Sequence, residues 1–359
     1  MESNRIIIGI TQGDINGIGY EVILKTVVEP RVLETIVPVI YGSPKVAAFY
    51  RKQLDIQGLN LNIVNSIEEI NLKRVNIINC CDDEIKVEIG NSTEDAGKAA
   101  LSALERATAD LKKGALKAIV TAPINKKNIQ SPSFKFPGHT EYFEKNFGTG
   151  TPSLMMLVND VMRVAVVTGH IAVERVSAEL TEKLILEKML VFNESLKKDF
   201  RINRPRLAVL GLNPHASDNG VLGNEEQTII IPAMKQAEAK GIICVGPYPA
   251  DGFFGSGAFG KFDGILAMYH DQGLIPFKTI SMDTGVNFTA GLPVIRTSPD
   301  HGTAYDIAGQ NIASEESFRQ AMYMAYDIYH NRLWYEEINA NPLVVEQRSE
   351  RRERGPRVE

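Results

Sequence analysis

Apolar and polar positions along this chain follow two alternating rhythms. Short, nearly continuous apolar runs read as buried strands: "RIIIGI" (5–10), "IVPVIYG" (36–42), "VNIINC" (75–80), "KAIVTAPINK" (117–126), "RLAVLGLNPH" (206–215), "IICVG" (242–246) and "ILAMYH" (265–270). "SLMMLVN" and "RVAVVTGH" (163–170) read as a strand pair turning at Asn159-Asp160. Between these runs the spacing changes to that of helices, in "GYEVILKTVV" and "SPKVAAFYRKQL". Leu101, Leu104, Thr108 and Leu111 share one face of a helix over about 97–113, and Ile185, Met189, Phe192 and Leu196 mark another. Further helices are expected over about 225–240, briefly from His139-Thr140, and from Ser314 onward with the face Phe318, Met322, Ala325, Tyr326, Tyr329 and Leu333. Strands alternating with helices imply an α/β protein, its largely parallel sheet covered on both faces. No repeat or flexible linker interrupts the pattern.

At 359 residues, the chain has room for two domains or one large lobed α/β unit. An apolar share of 44% with 23% charged residues is that of a globular protein. Lys plus Arg number 39 against 44 Asp plus Glu, a net charge of −5, which argues against nucleic acid or an anionic membrane as partner. Cys80, Cys81 and Cys244 form no disulfide framework or thiolate metal motif, as fits a reducing compartment. The start, "MESNRIIIGITQGD", has neither the apolar length nor the cleavage site of a leader, so a cytoplasmic location is expected. The polar, mixed-charge tail 346–359 is expected to be disordered.

The chemistry concentrates at strand ends. Of six histidines, His170, His215 and His270 each close an apolar run, and the carboxyl ends of parallel strands are where α/β proteins bind ligands. Singly, each would be a hydrogen-bonding loop residue; together they suit a divalent cation, with Asp218, Asp251 and Asp271 nearby. His330, among helix aromatics, reads as structural. Lys126, Lys278 and Arg296 follow apolar runs and are candidates for holding phosphate or carboxylate. Gly13, Gly17 and Gly19 form either a tight strand-to-helix turn or an anion-binding helix start. His270-Asp271-Gln272-Gly273 reads as a turn, and 298–309 as a polar loop.

Taken in order, "GITQGDINGIGYEV", "TAPINK", "FPGHTEYF", "GLNPHASDNGVLGNEE", "GPYPADGFF", "MYHDQGLIPFK" and "VNFTAGLPVIRTSPDHGTAYDIAG" resemble the 4-hydroxythreonine-4-phosphate dehydrogenase family of pyridoxal phosphate biosynthesis. The last motif is also similar to the "HGSAPDIAG" loop of the isocitrate and isopropylmalate dehydrogenases, which borders the nucleotide. The resemblance implies a two-lobed α/β/α subunit of that type, with its active site in the interlobe cleft at a homodimer interface. The first lobe would comprise 1–137 plus 290–345, with the cofactor loop 298–309, and the second 138–289, with the metal histidines and the dimer contacts.

Carried over residue by residue, His170, His215 and His270 become metal ligands, with His270 contributed by the partner subunit. His139, Thr140, Lys278, Asn287 and Arg296 become substrate-binding, and His301, Gly302, Thr303, Ala304 and Asp306 border the nucleotide. Lys278, Asp251 and Asp271 are candidates for proton transfer or for orienting the histidines. The implied cofactors are NAD(P)+ and one divalent ion (Zn, Mg or Co). The implied reaction is oxidation of 4-phosphooxy-L-threonine at its secondary hydroxyl, then decarboxylation to 3-amino-2-oxopropyl phosphate. Alternatives are a dehydrogenase of 4-phosphothreonate or 4-phosphoerythronate, and a non-redox phosphate acyltransferase or metal hydrolase on the same fold. The chain departs from the family at Ile15-Asn16 (usually Pro-Ala), at Ser217-Asp218-Asn219-Gly220 (Gly-Glu-Gly-Gly) and at Gly252 (Thr).

Overall fold

A computed structural model describes residues 5–82, 84–281 and 283–341; the tail 346–359 and the last residues of the expected first lobe, 342–345, lie outside them. The chain opens with β1 (Ile6–Thr11), α1 (Gly19–Val27), α2 (Val32–Thr35), β2 (Ile36–Gly42) and α3 (Pro44–Gln53). It continues through β3 (Leu61–Val64), β4 (Val75–Asn79), α4 (Glu94–Lys112), β5 (Ala118–Thr121) and α5 (His139–Phe147). Next come β6 (Leu154–Val158), β7 (Arg163–Thr168), α6 (Val176–Glu179), α7 (Glu182–Lys198), β8 (Arg206–Leu210) and α8 (Ile231–Ala239). The last elements are β9 (Ile243–Tyr248), α9 (Ala250–Gly255), β10 (Gly264–Tyr269), α10 (His270–Ser281), β11 (Val286–Ala290), β12 (Arg296–Pro299) and α11 (Glu316–Asn339).

All twelve strands join one sheet in the order β3-β4-β2-β1-β5-β12-β11-β6-β7-β10-β8-β9. From β3 to β12 every pair is parallel, and from β7 to β9 again; between these halves the β12–β11, β11–β6 and β6–β7 pairs are antiparallel. Both faces are covered, which is why β1, β2, β6, β8 and β10 are nearly continuous apolar runs rather than alternating ones. α1 and α11 share the largest buried cluster, whereas α4 and α5 pack in a second cluster with Tyr41, Ile78 and Ile119.

The helical spacings held where the faces are purely apolar: Ile185, Met189, Phe192 and Leu196 of α7 are all fully buried. Two expectations failed for packing reasons. His270-Asp271-Gln272-Gly273 is the first turn of α10, not a loop. Gly273 is there because a Cβ would come within 2.8 Å of Val164 and 3.1 Å of Ala267, so glycine lets the helix lie directly on β7 and β10. In α11 the buried stripe runs through Phe318, Met322, Ala325, Ile328 and Arg332, leaving Leu333 exposed. Arg332 is admitted because Asp199, itself buried, takes its Nε at 2.6 Å, while the carbonyls of Leu292 and Pro293 accept from Nη1.

Candidate active site

The middle of the sheet, where strand direction reverses, carries a polar patch. Side chains two apart share a face, so Arg296 and Ser298 of β12 and Asn287 and Thr289 of β11 point the same way, with Asn287 opposite Ser298 in register. Arg296, Ser298 and Asn287 floor a cavity of about 270 Å³ closed by His139, Thr140, Lys126 and Lys278. The cavity therefore gathers all five expected substrate-binding residues, together with His170, His301 and Gly302.

Arg296 is the unusual feature. It is 3% exposed, yet its guanidinium donates only to hydroxyls: Nε and Nη2 to Thr121 at 3.1 and 2.8 Å, and Nη1 to Thr289 at 3.4 Å. Among the described residues no carboxylate forms an ion pair with it. Burial pushes its pKa down to about 9, against the opposing charge of Glu141, so it stays charged at neutral pH. A buried charge without a counter-ion is costly unless a ligand completes it.

Two neighbours are incomplete in the same way. His139, the first residue of α5, has an enclosed Nε2 with no hydrogen-bond partner, and so does Asn287 Oδ1. Burial, Arg296 and Lys126 all push the His139 pKa well below its ordinary value, making the ring a neutral imidazole. Lys278 Nζ sits 3.2 Å from Asp300 Oδ1 and donates to the Asp300 carbonyl at 3.1 Å. Burial raises the Asp300 pKa, though the charge of Lys278 opposes it. At the cavity edge His301 Nδ1 donates to the Gly302 carbonyl at 3.1 Å, leaving Nε2 an enclosed acceptor without a partner.

The three strand-end histidines do leave one sheet edge, since β7, β10 and β8 are adjacent and parallel. His170 and His270 meet, with ring centroids 5.7 Å apart. Their Nδ1 atoms approach carboxylates, Asp271 at 2.6 Å for His270 and Glu141 at 3.5 Å for His170, so Nε2 of each is the nitrogen left to coordinate. His215 does not join them: among the described residues no group of three His, Cys, Asp or Glu could hold an ion. It sits in a left-handed turn in which residues 215–219 all have positive φ, from 46° to 69°. Each such residue costs about 1–2 kcal/mol. The buried Glu226 steadies the approach to this turn, accepting from the N–H groups of Leu212 and Asn213 at 2.8 and 2.7 Å. The donor chemistry suits a divalent cation, with two imidazoles beside carboxylates and a third on a left-handed turn, but among the described residues one chain does not assemble the set.

The remaining expected residues lie outside the cavity. Asp251 and Asp271 line a separate, more apolar groove of about 520 Å³ beside Asn213 and Pro214. Thr303, Ala304 and Asp306 continue the loop beyond Gly302. The glycine-rich turn after β1 serves that loop: Ile18 N donates to the Thr303 carbonyl at 3.0 Å, and a Cβ on Gly17 would meet the same oxygen at 2.6 Å. Its amides are thus used for packing. Asp300, Glu141 and Thr121 were not anticipated as site residues. Asp300 stands next to His301 in a polar loop, which was its only sequence signal.

Fold and site together define an α/β enzyme with a pocket for a small anionic substrate. The model of the family "Pyridoxal phosphate biosynthetic protein PdxA" matches residues 34–325, so the chain belongs to that family. It is 60% identical over 343 residues to the 4-hydroxythreonine-4-phosphate dehydrogenase of Bacteroides thetaiotaomicron, covering 96% of this chain and 94% of the relative. A provisionally assigned D-threonate 4-phosphate dehydrogenase of Oceanobacillus iheyensis is 38% identical over 334 residues, 91% of this chain and 98% of that one. The crystal structure of 4-hydroxythreonine-4-phosphate dehydrogenase from Klebsiella pneumoniae superposes with a TM-score of 0.79 at 35% identity, covering 92% of this chain and 99% of the other. The protein is a dehydrogenase of this family, which sets aside the acyltransferase and hydrolase alternatives. No helix among the described residues is long and apolar enough to cross a membrane.

Proposed function

We propose that the protein oxidises 4-phosphooxy-L-threonine at its secondary hydroxyl with NAD(P)+ and decarboxylates the product to 3-amino-2-oxopropyl phosphate, in the cytoplasm. The observation that carries this is Arg296, a buried cation lacking a counter-ion, in a cavity where His139 Nε2, Asn287 Oδ1 and His301 Nε2 also lack partners. A substrate with an anion at each end supplies what these groups lack. Arg296 and Lys278 hold the anionic ends, and Thr140 and the first N–H groups of α5 donate to the same charge. Neutral His139 and Asn287 orient the hydroxyl and amino groups between them. Lys278, charged beside Asp300, delivers the proton to the carbon that loses carbon dioxide, while the hydroxyl proton leaves to the Asp300 carboxylate or to solvent. Asp271 holds the His270 ring; Asp251 acts from the adjoining groove.

His170, His215 and His270 would hold a divalent ion, which would supply Lewis acidity, and His301, Gly302, Thr303, Ala304 and Asp306 would border the adenosine half of a nicotinamide nucleotide, which would supply the hydride acceptor. The ion set is completed in a homodimer, His270 coming from the partner subunit. Exposed apolar side chains close in sequence to these histidines support that assembly: Val173, Val221, Leu222 and Ile275. The lobe division, 1–137 with 290–345 and 138–289, belongs to the same proposal; its second junction falls within β11.

The test offers phosphorylated hydroxythreonine, D-threonate and D-erythronate with NAD+ or NADP+ and with Zn, Mg or Co. Nicotinamide reduction with matching carbon dioxide release, fastest for the amino acid, is the expected result. Higher kcat/KM for phosphothreonate would transfer the assignment to the function named for the Oceanobacillus relative, and absence of reduction under every combination would end both.

A further inference from the structure

We propose that Tyr305 and the buried Asp14 form a latch that sets the 298–309 loop in its nucleotide-receiving shape before a nucleotide arrives. The proposal rests on the reading of that loop given above and adds to it a positioning residue that does not line the cavity.

Asp14 is fully buried, and among the described residues no Lys or Arg forms an ion pair with it. Its charge is met by hydrogen bonds alone. Oδ1 accepts from Asn16 N at 2.9 Å, and Oδ2 accepts from Asn128 Nδ2 at 2.7 Å and from the Tyr305 hydroxyl at 2.8 Å. The hydroxyl in turn accepts from Asn125 Nδ2 at 3.1 Å. Burial, reinforced by Asp14, pushes the Tyr305 pKa up to about 12, so the phenol keeps the proton it donates.

Four segments meet here. Asn16 ties down residues 88–93, accepting from Glu88 N at 2.8 Å and donating to the Asn91 carbonyl at 2.9 Å and Thr93 Oγ1 at 3.0 Å. Asn125 and Asn128 bring the chain after β5, and Tyr305 brings the nucleotide loop. Between Thr303, held through its carbonyl by Ile18 N, and Tyr305, held by Asp14, lies Ala304 with φ of 43°. An alanine in that region relaxes unless both flanks are fixed. The similar "HGSAPDIAG" loop has proline at the place of Tyr305, which stiffens the backbone covalently. Here the side-chain bond to Asp14 takes over that restraint, and a loop already ordered binds its ligand with less entropy to lose.

Tyr305→Phe removes the hydroxyl and keeps the ring. In the apo protein, amide hydrogen exchange over 301–309 is expected to accelerate about tenfold. The nucleotide Kd and KM should rise by a similar factor, with kcat and substrate KM within about twofold. Asp14→Asn, which keeps an acceptor oxygen but loses the charge, should fall between wild type and Tyr305→Phe. Unchanged exchange in Tyr305→Phe, or a rise in substrate KM in place of nucleotide KM, overturns the latch. Wild-type protein supplies the separate check: if nucleotide binding protects no amide in 301–309, the loop's assignment fails, and with it the latch's purpose, even where exchange accelerates.

Discussion

Arg296 and His270 border one candidate site in opposite surroundings. Arg296 lies on the floor of the sheet, enclosed by its own chain, with every neighbour in place except an anion. His270 is about one-third exposed at the start of α10, paired with His170 but short of a third ligand. The cradle is complete in one chain because adjacent strands β5, β12 and β11 put alternate side chains on a common face. Of the three strand-end histidines only His270 opens a helix; His170 and His215 depend on turns beyond strand ends, where chain direction is set by loop geometry, and the turn of His215 is left-handed. On the proposed reading, a site is prepared within one subunit for binding and takes the last of its metal ligands from another.

The sharpest way to break that contrast is a mixed dimer. His170→Ala and His270→Ala should each lower kcat by about 10³-fold or more and release bound metal. Mixed at equal amounts and allowed to exchange subunits, they should regain about a quarter of wild-type activity, because half the dimers are hybrid and one of their two sites is intact. No recovery would place His170 and His270 in one chain, as their meeting in this structure does, and leave His215 as the ligand from the partner subunit. Next in size, Arg296→Lys should reduce kcat/KM about 10²-fold, since a lysine cannot reproduce the planar, multiply bonded guanidinium. Its metal content should remain that of wild type; loss of metal would join the two regions that the structure separates. Asp271→Asn should weaken metal binding by about 10–100-fold in a chelator competition while leaving substrate affinity in place.

The smallest effect is on stability. Burial holds the folded pKa values of both His139 and His301 below their ordinary value. Below the unfolded histidine pKa of about 6.5, the unfolded chain takes up protons that the folded chain does not, so stability declines as pH falls through that point. His139→Gln should show a shallower decline in thermal midpoint between about pH 7 and 5. An identical slope would mean the ring titrates normally in the folded cradle.

Legibility in the sequence followed the number of interactions a residue's role requires. α7 was readable because four apolar residues on one face need only a core to face. Gly273 misled because glycine marks both turns and close helix-to-strand approach, and only the positions of Val164 and Ala267 distinguish them. Arg332 in the stripe of α11 could not be foreseen without Asp199, distant in the chain. Asp300 and Glu141 entered the site through contacts with Lys278 and His170, not through any pattern of their own. The shared edge of β7, β10 and β8 was likewise invisible, because strand order is not written in local spacing.

By itself the sequence determined the α/β class, most strands and long helices, and the residue types able to hold an anion and a divalent ion. These follow from periodicity and side-chain chemistry, both local properties. The tertiary structure decided that Arg296 forms no ion pair among the described residues, that His139 Nε2 is enclosed without a partner, and that two of three histidines meet while the third stands apart. Burial and pairing are relations between distant segments, and they come into being only when the strands take their order in the sheet.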